Sequence, residues 1–520
     1  MARVSSGTAR ARSYDLCVVG AGPAGCALAD AAIRAGLSVI VVERGGTVPE
    51  APPPILEIPD GVPHDADDRT MRQGLGGTFA TWGGRCMPFD AVDFEAGPGA
   101  GWPFDHAEYA RWIAPAAAIM GVAPVFARPV PADWPTAPDL RLDLVERLAD
   151  RAIPDAMRAR LADDRAGPDL LLGRAAVALS WSGRRVDGVV LDAADDADGG
   201  PTRISAARVV LACGGLQTTR LLLEEARRAP GRLTGTGWLG RGYMGHLTGS
   251  VGTIGFGDPA VLAQFGYRRS GEGDAERRRL TILPRDRASV AFWVENGPRA
   301  DPAHRSGELS LKALATGDAR PLTAHLGNIA RDPIGVASGL ASVLRTRARA
   351  GARHPDRLVT RGAGARRLCY HAEHLCDPDS HVALSDRLAP DGRPALDVRF
   401  AYGERTIADV AAAHRRLAQS VARDGFATVG LPRSDAALRR AIRAGARDGY
   451  HQIGLTRMAA SPADGVVDAD ARVHGTDNLY VASAAVFPRA SQANPTLSIV
   501  ALALRLADHL ATSVHRRGAA

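Results

Sequence analysis

Short unbroken apolar runs alternate along the chain with stretches whose apolar residues recur every three or four positions, and glycines punctuate both. Residues 14–19 form a continuous apolar run that ends in glycines, which predicts a buried strand. Residues 25–35 are mostly small and apolar and are stopped by Gly36, which predicts a helix; 38–42 is a second β-branched strand closing on Glu43. The order strand, helix, strand predicts a βαβ unit and a parallel sheet. Residues 49–68, rich in Pro and Asp, read as irregular, and 74–84 as a glycine-rich loop. The pattern over 141–161 predicts a helix broken near Pro154, while alternation over 175–191 predicts two strands about the Ser182-Gly183 turn. A buried strand over 208–212 should run through Cys213-Gly214-Gly215 into a helix over 218–227.

After about Gly245 the character changes. Thr, Val and aromatic strand candidates, an Arg-rich middle and an amphipathic helix over 407–424 suggest a separate domain as far as about Ala436. The chain then returns to glycine-punctuated strand and helix and ends in an apolar helix over 496–510. The expected organisation is a nucleotide-binding domain over 1–245 with insertions around 50–135, a second domain over 246–436, and the rest of the first domain over 437–520.

Composition narrows the class. With 520 residues, 46% of them apolar, the chain can bury more than one core, as a globular protein would. Its formal charge of +7 is carried almost wholly by Arg. No basic patch interleaved with aromatics accompanies it, so a nucleic-acid partner is not expected. The richest basic stretch, Arg345, Arg347, Arg349, Arg353, Arg357, Arg361, Arg366 and Arg367, reads first as a solvated helix and loop, and second as a lid over an anionic substrate or a membrane-facing surface. Six scattered cysteines (Cys17, Cys26, Cys86, Cys213, Cys369, Cys376) suit buried thiols better than a disulfide frame. No apolar run approaches about 20 residues, and residues 1–13 lack the apolar core of a signal peptide. A cytoplasmic chain without stable membrane insertion is expected.

The first chemical signal is Gly20-Ala21-Gly22-Pro23-Ala24-Gly25, set between a strand and a helix, with Glu43 ending the next strand. The first glycine permits a tight turn, the second admits a pyrophosphate, the third lets helix and strand pack, and the helix N-terminus attracts the anion. Glu43 would hold ribose hydroxyls. The motif indicates a dinucleotide without choosing between FAD and NAD.

Further blocks make the choice. Leu75-Gly76-Gly77-Thr78-Phe79-Ala80-Thr81-Trp82-Gly83-Gly84-Arg85, then Asp90, Asp93-Phe94-Glu95 and Trp102-Pro103-Phe104, resemble the flavin loop of bacterial glucose-methanol-choline (GMC) oxidoreductases. The segments Val210 to Arg220 and Gly240 to His246 are similar to that family too, and His451-Gln452-Ile453-Gly454-Leu455-Thr456-Arg457-Met458 followed by Asn494-Pro495-Thr496 is the most specific likeness. The resemblance spans nearly the whole chain and is thin between about 250 and 440, where substrates are chosen.

The resemblance implies an α/β fold: a Rossmann-like FAD-binding domain interleaved with an α+β substrate-binding domain of antiparallel sheet and helices. It implies FAD, with His451 and Asn494 as catalytic residues beside the flavin N5. Cofactor contacts are implied at Gly20, Gly22, Pro23, Ala24, Gly25, Glu43, Arg44, Gly77, Thr78, Trp82, Gly83, Gly84, Val177, Ala212, Cys213, Gly214, Ser483, Ala484, Asn494, Pro495 and Thr496. A histidine suits the proton transfer because it titrates near neutrality, and an amide can hold the oxygen without titrating. Many relatives carry His just before the loop tryptophan; here Thr81 stands there, so FAD is expected to be non-covalent. Leu455, Ser483 and Ala484 are further departures from the usual pattern.

The run Cys369, His371, Glu373, His374, Cys376 resembles a metal site, but on a strand its first three members share a face that the last two do not, so no metal is expected. The same strand could line the substrate pocket, with Glu373 as the contacting carboxylate. His246 and His474 read as structural histidines. The expected function is oxidation of an alcohol hydroxyl on a sugar, glycoside or natural product, with oxygen or another acceptor reoxidising the flavin. A lyase or cyclase that keeps FAD without net oxidation is the alternative, and a binding or redox-partner protein a third reading.

Overall fold

The computed structural model describes residues 8–9, 12–95, 101–149, 157, 159–161, 167–193, 201–270, 274–348, 357–361 and 365–518. Arg349 and Arg353 of the basic stretch lie outside the described residues.

The predicted βαβ unit is present as strand Ser13–Val19, helix Pro23–Arg34 and strand Val39–Glu43. Pro23 opens the helix where its missing N–H costs nothing. The two strands pair in parallel and belong to a seven-stranded sheet, in the order Asp169–Leu172, Val39–Glu43, Ser13–Val19, Pro201–Leu211, Arg185–Ala193, Ala176–Ser182. The last two form the antiparallel hairpin read at Ser182-Gly183. The long strand Pro201–Leu211 spends its first half beside that hairpin and its second half beside Leu479–Val481, which returns from the far end of the sequence. Helix Thr496–Gly518 then packs on Pro23–Arg34, and both share one apolar core with the sheet.

A second core surrounds a six-stranded sheet whose adjacent strands all pair antiparallel, in the order Ala427–Gly430, His246–Phe256, Arg366–Glu373, Val290–Glu295, Leu280–Ile282, Leu140–Arg141. Residues alternate across a strand. Leu368, Tyr370 and Ala372, with their partners Val294, Phe292 and Val290, join the core that includes Ile407, Val410 and Leu417 of helix Glu404–Val421. Cys369, His371 and Glu373 are therefore turned the other way, toward the nucleotide-binding half.

The helix expected over 141–161 is not what forms at its start. Leu140–Arg141 closes the edge of the six-stranded sheet, and Val145–Leu148 pairs with Ala275–Arg278 and Arg85–Cys86. Local spacing allowed a helix, but Glu146 and Arg147 are both fully buried in ion pairs with arginines and acids from distant strands, and those partners decide the conformation. Most of residues 150–161 lies outside the described residues. The irregular stretch 49–68 contains one short strand, Leu56–Glu57, paired with Pro394–Arg399.

Candidate active site

The nucleotide-binding half opens in a cleft of about 1480 Å³ including its open mouth, to which the rest of the chain contributes Arg393. Of the expected cofactor residues, Gly20, Gly22, Pro23, Ala24, Glu43, Arg44, Gly77, Thr78, Trp82, Ala212, Cys213, Gly214, Ser483, Ala484, Pro495 and Thr496 line it, and so does His451. The N-terminal glycines have distinct jobs. Gly20 has φ +106°, and a Cβ there would stand 2.6 Å from the Ala212 carbonyl oxygen; at Gly22 an added Cβ meets nothing within 4 Å, leaving open space for a ligand. Helices Pro23–Arg34 and Gly215–Arg228 both begin at the cleft, and neither N-cap glycine supplies a side-chain hydrogen bond. At the second, Gln452 Oε1 already accepts from Leu216 N–H (3.0 Å), so the uncapped N–H groups that suit the anionic pyrophosphate of a dinucleotide are those of Pro23–Arg34.

Glu43 reaches the cleft but is tied to the loops around it. Oε2 accepts from Ala21 N–H at 2.8 Å, and Oε1 from Gly45 and Gly74 N–H at 2.9 and 2.8 Å. Burial pushes its carboxyl upward against those hydrogen bonds.

Five expected cofactor contacts lie elsewhere. Gly25 is a packing residue, since a Cβ there would come within 2.0 Å of the Gly20 oxygen. Gly83 and Gly84 stand beyond the lining, where the Gly84 carbonyl accepts from Ala149 N–H. Val177 sits at a register shift of its strand, and Ala175 and Ala176 face the cleft instead. Asn494 is half-buried immediately before the lining residues Pro495 and Thr496, without being part of the lining.

Glu373 needs correction as a substrate contact. It is 1% exposed, and its carboxylate takes two hydrogen bonds from Arg489 (3.0 and 3.1 Å) and two from Ser289. Those four donors occupy both its oxygens, so it ties the sheet to the C-terminal loop. The other members of that run also disperse. His374 Nδ1 accepts from Gly245 N–H, and Cys376 approaches Arg457.

His371 goes with histidines that sequence spacing did not connect. Its ring stacks on His246 at 4.0 Å, and His246 Nδ1 lies 2.9 Å from His451 Nδ1. Among the described residues these are the group of three whose nitrogens approach one another closely enough to consider a metal. Face-to-face rings keep their lone pairs from converging, and the hydrogen bonds specify another arrangement. His246 Nε2–H donates to the Ala490 carbonyl (3.2 Å) and His371 Nδ1–H to that of Gln492 (2.8 Å). Burial first, and then the neighbouring imidazoles, hold both pKa values well below the usual histidine range, so both rings are neutral. His246 Nδ1 is then an acceptor, and His451 donates to it from Nδ1. His451 Nε2 keeps its lone pair.

Asp448 completes the arrangement. Its Oδ2 lies 3.3 Å from His451 Nδ1 and accepts from His246 N–H at 2.6 Å, while Oδ1 accepts from the N–H groups of Gly449, Tyr450 and His451. Burial alone would raise its pKa, but His451, His246 and these donors hold it far below the usual carboxylate range. Gly245 makes room for it, since a Cβ there would stand 2.6 Å from Oδ2. Asp448 was missed in the sequence because an acid three residues before a histidine has no meaning until the backbone folds around it.

The comparisons bear on this architecture. Residues 14–237 match the family described as pyridine nucleotide-disulphide oxidoreductase, and residues 377–503 match the family described as GMC oxidoreductase. Among solved structures, an FAD-dependent oxidoreductase from Chaetomium thermophilum is 16% identical with a TM-score of 0.54, covering 97% of this chain and 100% of its own. Pyridoxine 4-oxidase from Mesorbium loti (15% identical, TM-score 0.53, coverage 95% and 98%) and a fungal aryl-alcohol oxidase (17%, 0.53, 96% and 99%) share the fold as well. Among curated proteins none matches the sequence significantly. Fold, nucleotide cradle and family matches together define an FAD-dependent oxidoreductase. Residues 377–503 form a GMC oxidoreductase C-terminal domain, and the cofactor is FAD, held non-covalently.

Proposed function

We propose that this protein oxidises an alcohol carbon, on a sugar, glycoside or natural product, with His451 as base and Asn494 as the group that steadies the reacting oxygen. The observation that carries the reading is the orientation of His451: with its Nδ1 proton committed to His246 and Asp448, its basic Nε2 is free for a substrate hydroxyl. FAD, when bound, accepts the hydride lost from the carbinol carbon. His451 takes the hydroxyl proton, and Asp448, ionised and 3.3 Å away, favours the resulting imidazolium. The loop carrying Asn494 is pinned from behind, because His246 and His371 each donate to one of its carbonyls. Asn494 would thus be presented by a fixed backbone. Oxygen or another acceptor would remove the electrons.

The pyridoxine and aryl-alcohol oxidases with this fold favour an alcohol substrate. The test is an anaerobic titration of the yellow protein with sugars, glycosides and simple alcohols. One of them should bleach the flavin bands, and His451→Ala should slow that bleaching by about 10²-fold or more. Product formed without any bleaching would replace oxidation with the lyase or cyclase reading.

A further inference from the structure

The sheet face that presents His371 also carries a concentration of positive charge that none of the chemistry above uses. Ala291 and Trp293 lie directly opposite His371 and Cys369, and Thr281 lies opposite Ala291 on the next strand, so all are on this face. Around the Trp293 ring stand three guanidinium groups, Arg279 at 4.6 Å, Arg85 at 4.9 Å and Arg277 at 5.0 Å from its centre. Arg85 comes three residues after Trp82, which lines the cleft.

Two carboxylates serve these three cations. Glu146 is shared by Arg277 and Arg279 and also accepts from Tyr267, and Glu295 accepts from Trp293 Nε1. Donors are left over. Arg279 is 2% exposed, yet its Nε and Nη1 have no acceptor, and the fully buried Thr281 Oγ1 and the His371 Nε2 lone pair are also without partners. Burial, and then Arg85, hold the Arg279 pKa well below its usual value, the mark of a guanidinium whose charge is incompletely compensated. Buried polar groups are almost always paired, and a guanidinium stays charged in any protein, so unmatched donors gathered on one face call for an acceptor from outside the chain.

We infer that Arg279 and Arg85, with Thr281, form a subsite for an oxyanion, so that the alcohol oxidised here carries a carboxylate or a phosphate. Arginine's fork matches both groups. This rests on the alcohol-oxidation reading, which leaves the remainder of the substrate open. The anion would seat beside Trp293 and the hydroxyl at His451, two ends of one molecule spanning the sheet face.

The experiment uses the FAD-loaded protein. Benzoate, phenyl phosphate and neutral benzamide are titrated into the oxidised form, with Trp fluorescence and the flavin spectrum as readouts. One or both anions should give a saturable change that benzamide does not, and Arg279→Met should raise the Kd at least 10-fold. Should that variant fail to retain FAD, Arg85→Met, at a half-buried position, takes its place. In turnover, 4-(hydroxymethyl)benzoate or its phosphate counterpart should exceed benzyl alcohol in kcat/KM by 10-fold or more, and the preference should collapse in the variant. Which anion wins distinguishes carboxylate from phosphate. Neutral alcohols bleaching the flavin with no response to either anion would overturn the subsite and leave alcohol oxidation standing. Anion binding lost in the variant, with no alcohol bleaching the flavin, would keep the subsite and overturn the oxidation reading.

Discussion

Asp448 makes the reactivity of His451 a property of its surroundings. A carboxylate beside an imidazole favours the protonated ring, so removing the charge makes the base weaker. Asp448→Asn should lower the limiting rate of flavin reduction by about 10²-fold while FAD stays bound. Stopped-flow reduction of the fully FAD-loaded variant measures this, and a limiting rate equal to the parent's would show that Asp448 acts on the fold alone. Neutral His246 contributes differently, as the acceptor that keeps the His451 proton on Nδ1. The motif singled out His451 as a candidate, and the structure places it at the cleft. Its supporting groups could not be singled out, because they converge from residues 246, 371 and 448, brought together by strand pairing.

At the scale of elements, the nucleotide-binding turn separates two uses of glycine. Gly20→Ala would force a side chain into the φ +106° turn and against Ala212, at a cost of about 1–3 kcal/mol to the fold, visible as a lower Tm even without FAD. Gly22→Ala meets open protein space and should leave the Tm of the FAD-free protein unchanged while reducing the flavin retained on purification. The first strands and helix were legible in sequence because their apolar runs and glycines answer to local rules. The strands at Leu140–Arg141 and Val145–Leu148 were not, since their stabilising partners Asp274, Glu276 and Arg277 lie more than a hundred residues away. The strand Arg366–Glu373 was readable as an alternating element. Only the register showed that His371 meets His246, and that Glu373 is bound to Arg489 and withdrawn from any ligand.

Across the whole molecule, ion pairs join segments distant in sequence. Asp391, in the turn between strands His381–Leu388 and Pro394–Arg399, takes two hydrogen bonds from the buried Arg220 of helix Gly215–Arg228 and pairs with Arg44 at the cleft. Burial pushes its carboxyl up, but Arg220 prevails and brings it from 3.8 to about 2. A depressed folded pKa means stability that is present above about pH 4 and lost as pH falls toward 2. Asp391→Asn should therefore lower the Tm at pH 7, and the gap from the parent should narrow as pH falls through that window. A gap unchanged down to pH 2 would deny the pair its role.

The alternation along Arg366–Glu373 and its neighbours divides the labour of mutation. Positions 368, 370 and 372 are committed to the core, so changes there are judged by stability. On the opposite face His371 and Glu373 hold the Gln492 carbonyl and Arg489, so changes there are felt first by the loop that leads to Asn494. One strand thus has two constituencies: alternate letters keep the scaffold whole, and those between them keep the reactive loop in its seat, so a slip of register by a single residue would exchange the two duties and spoil both.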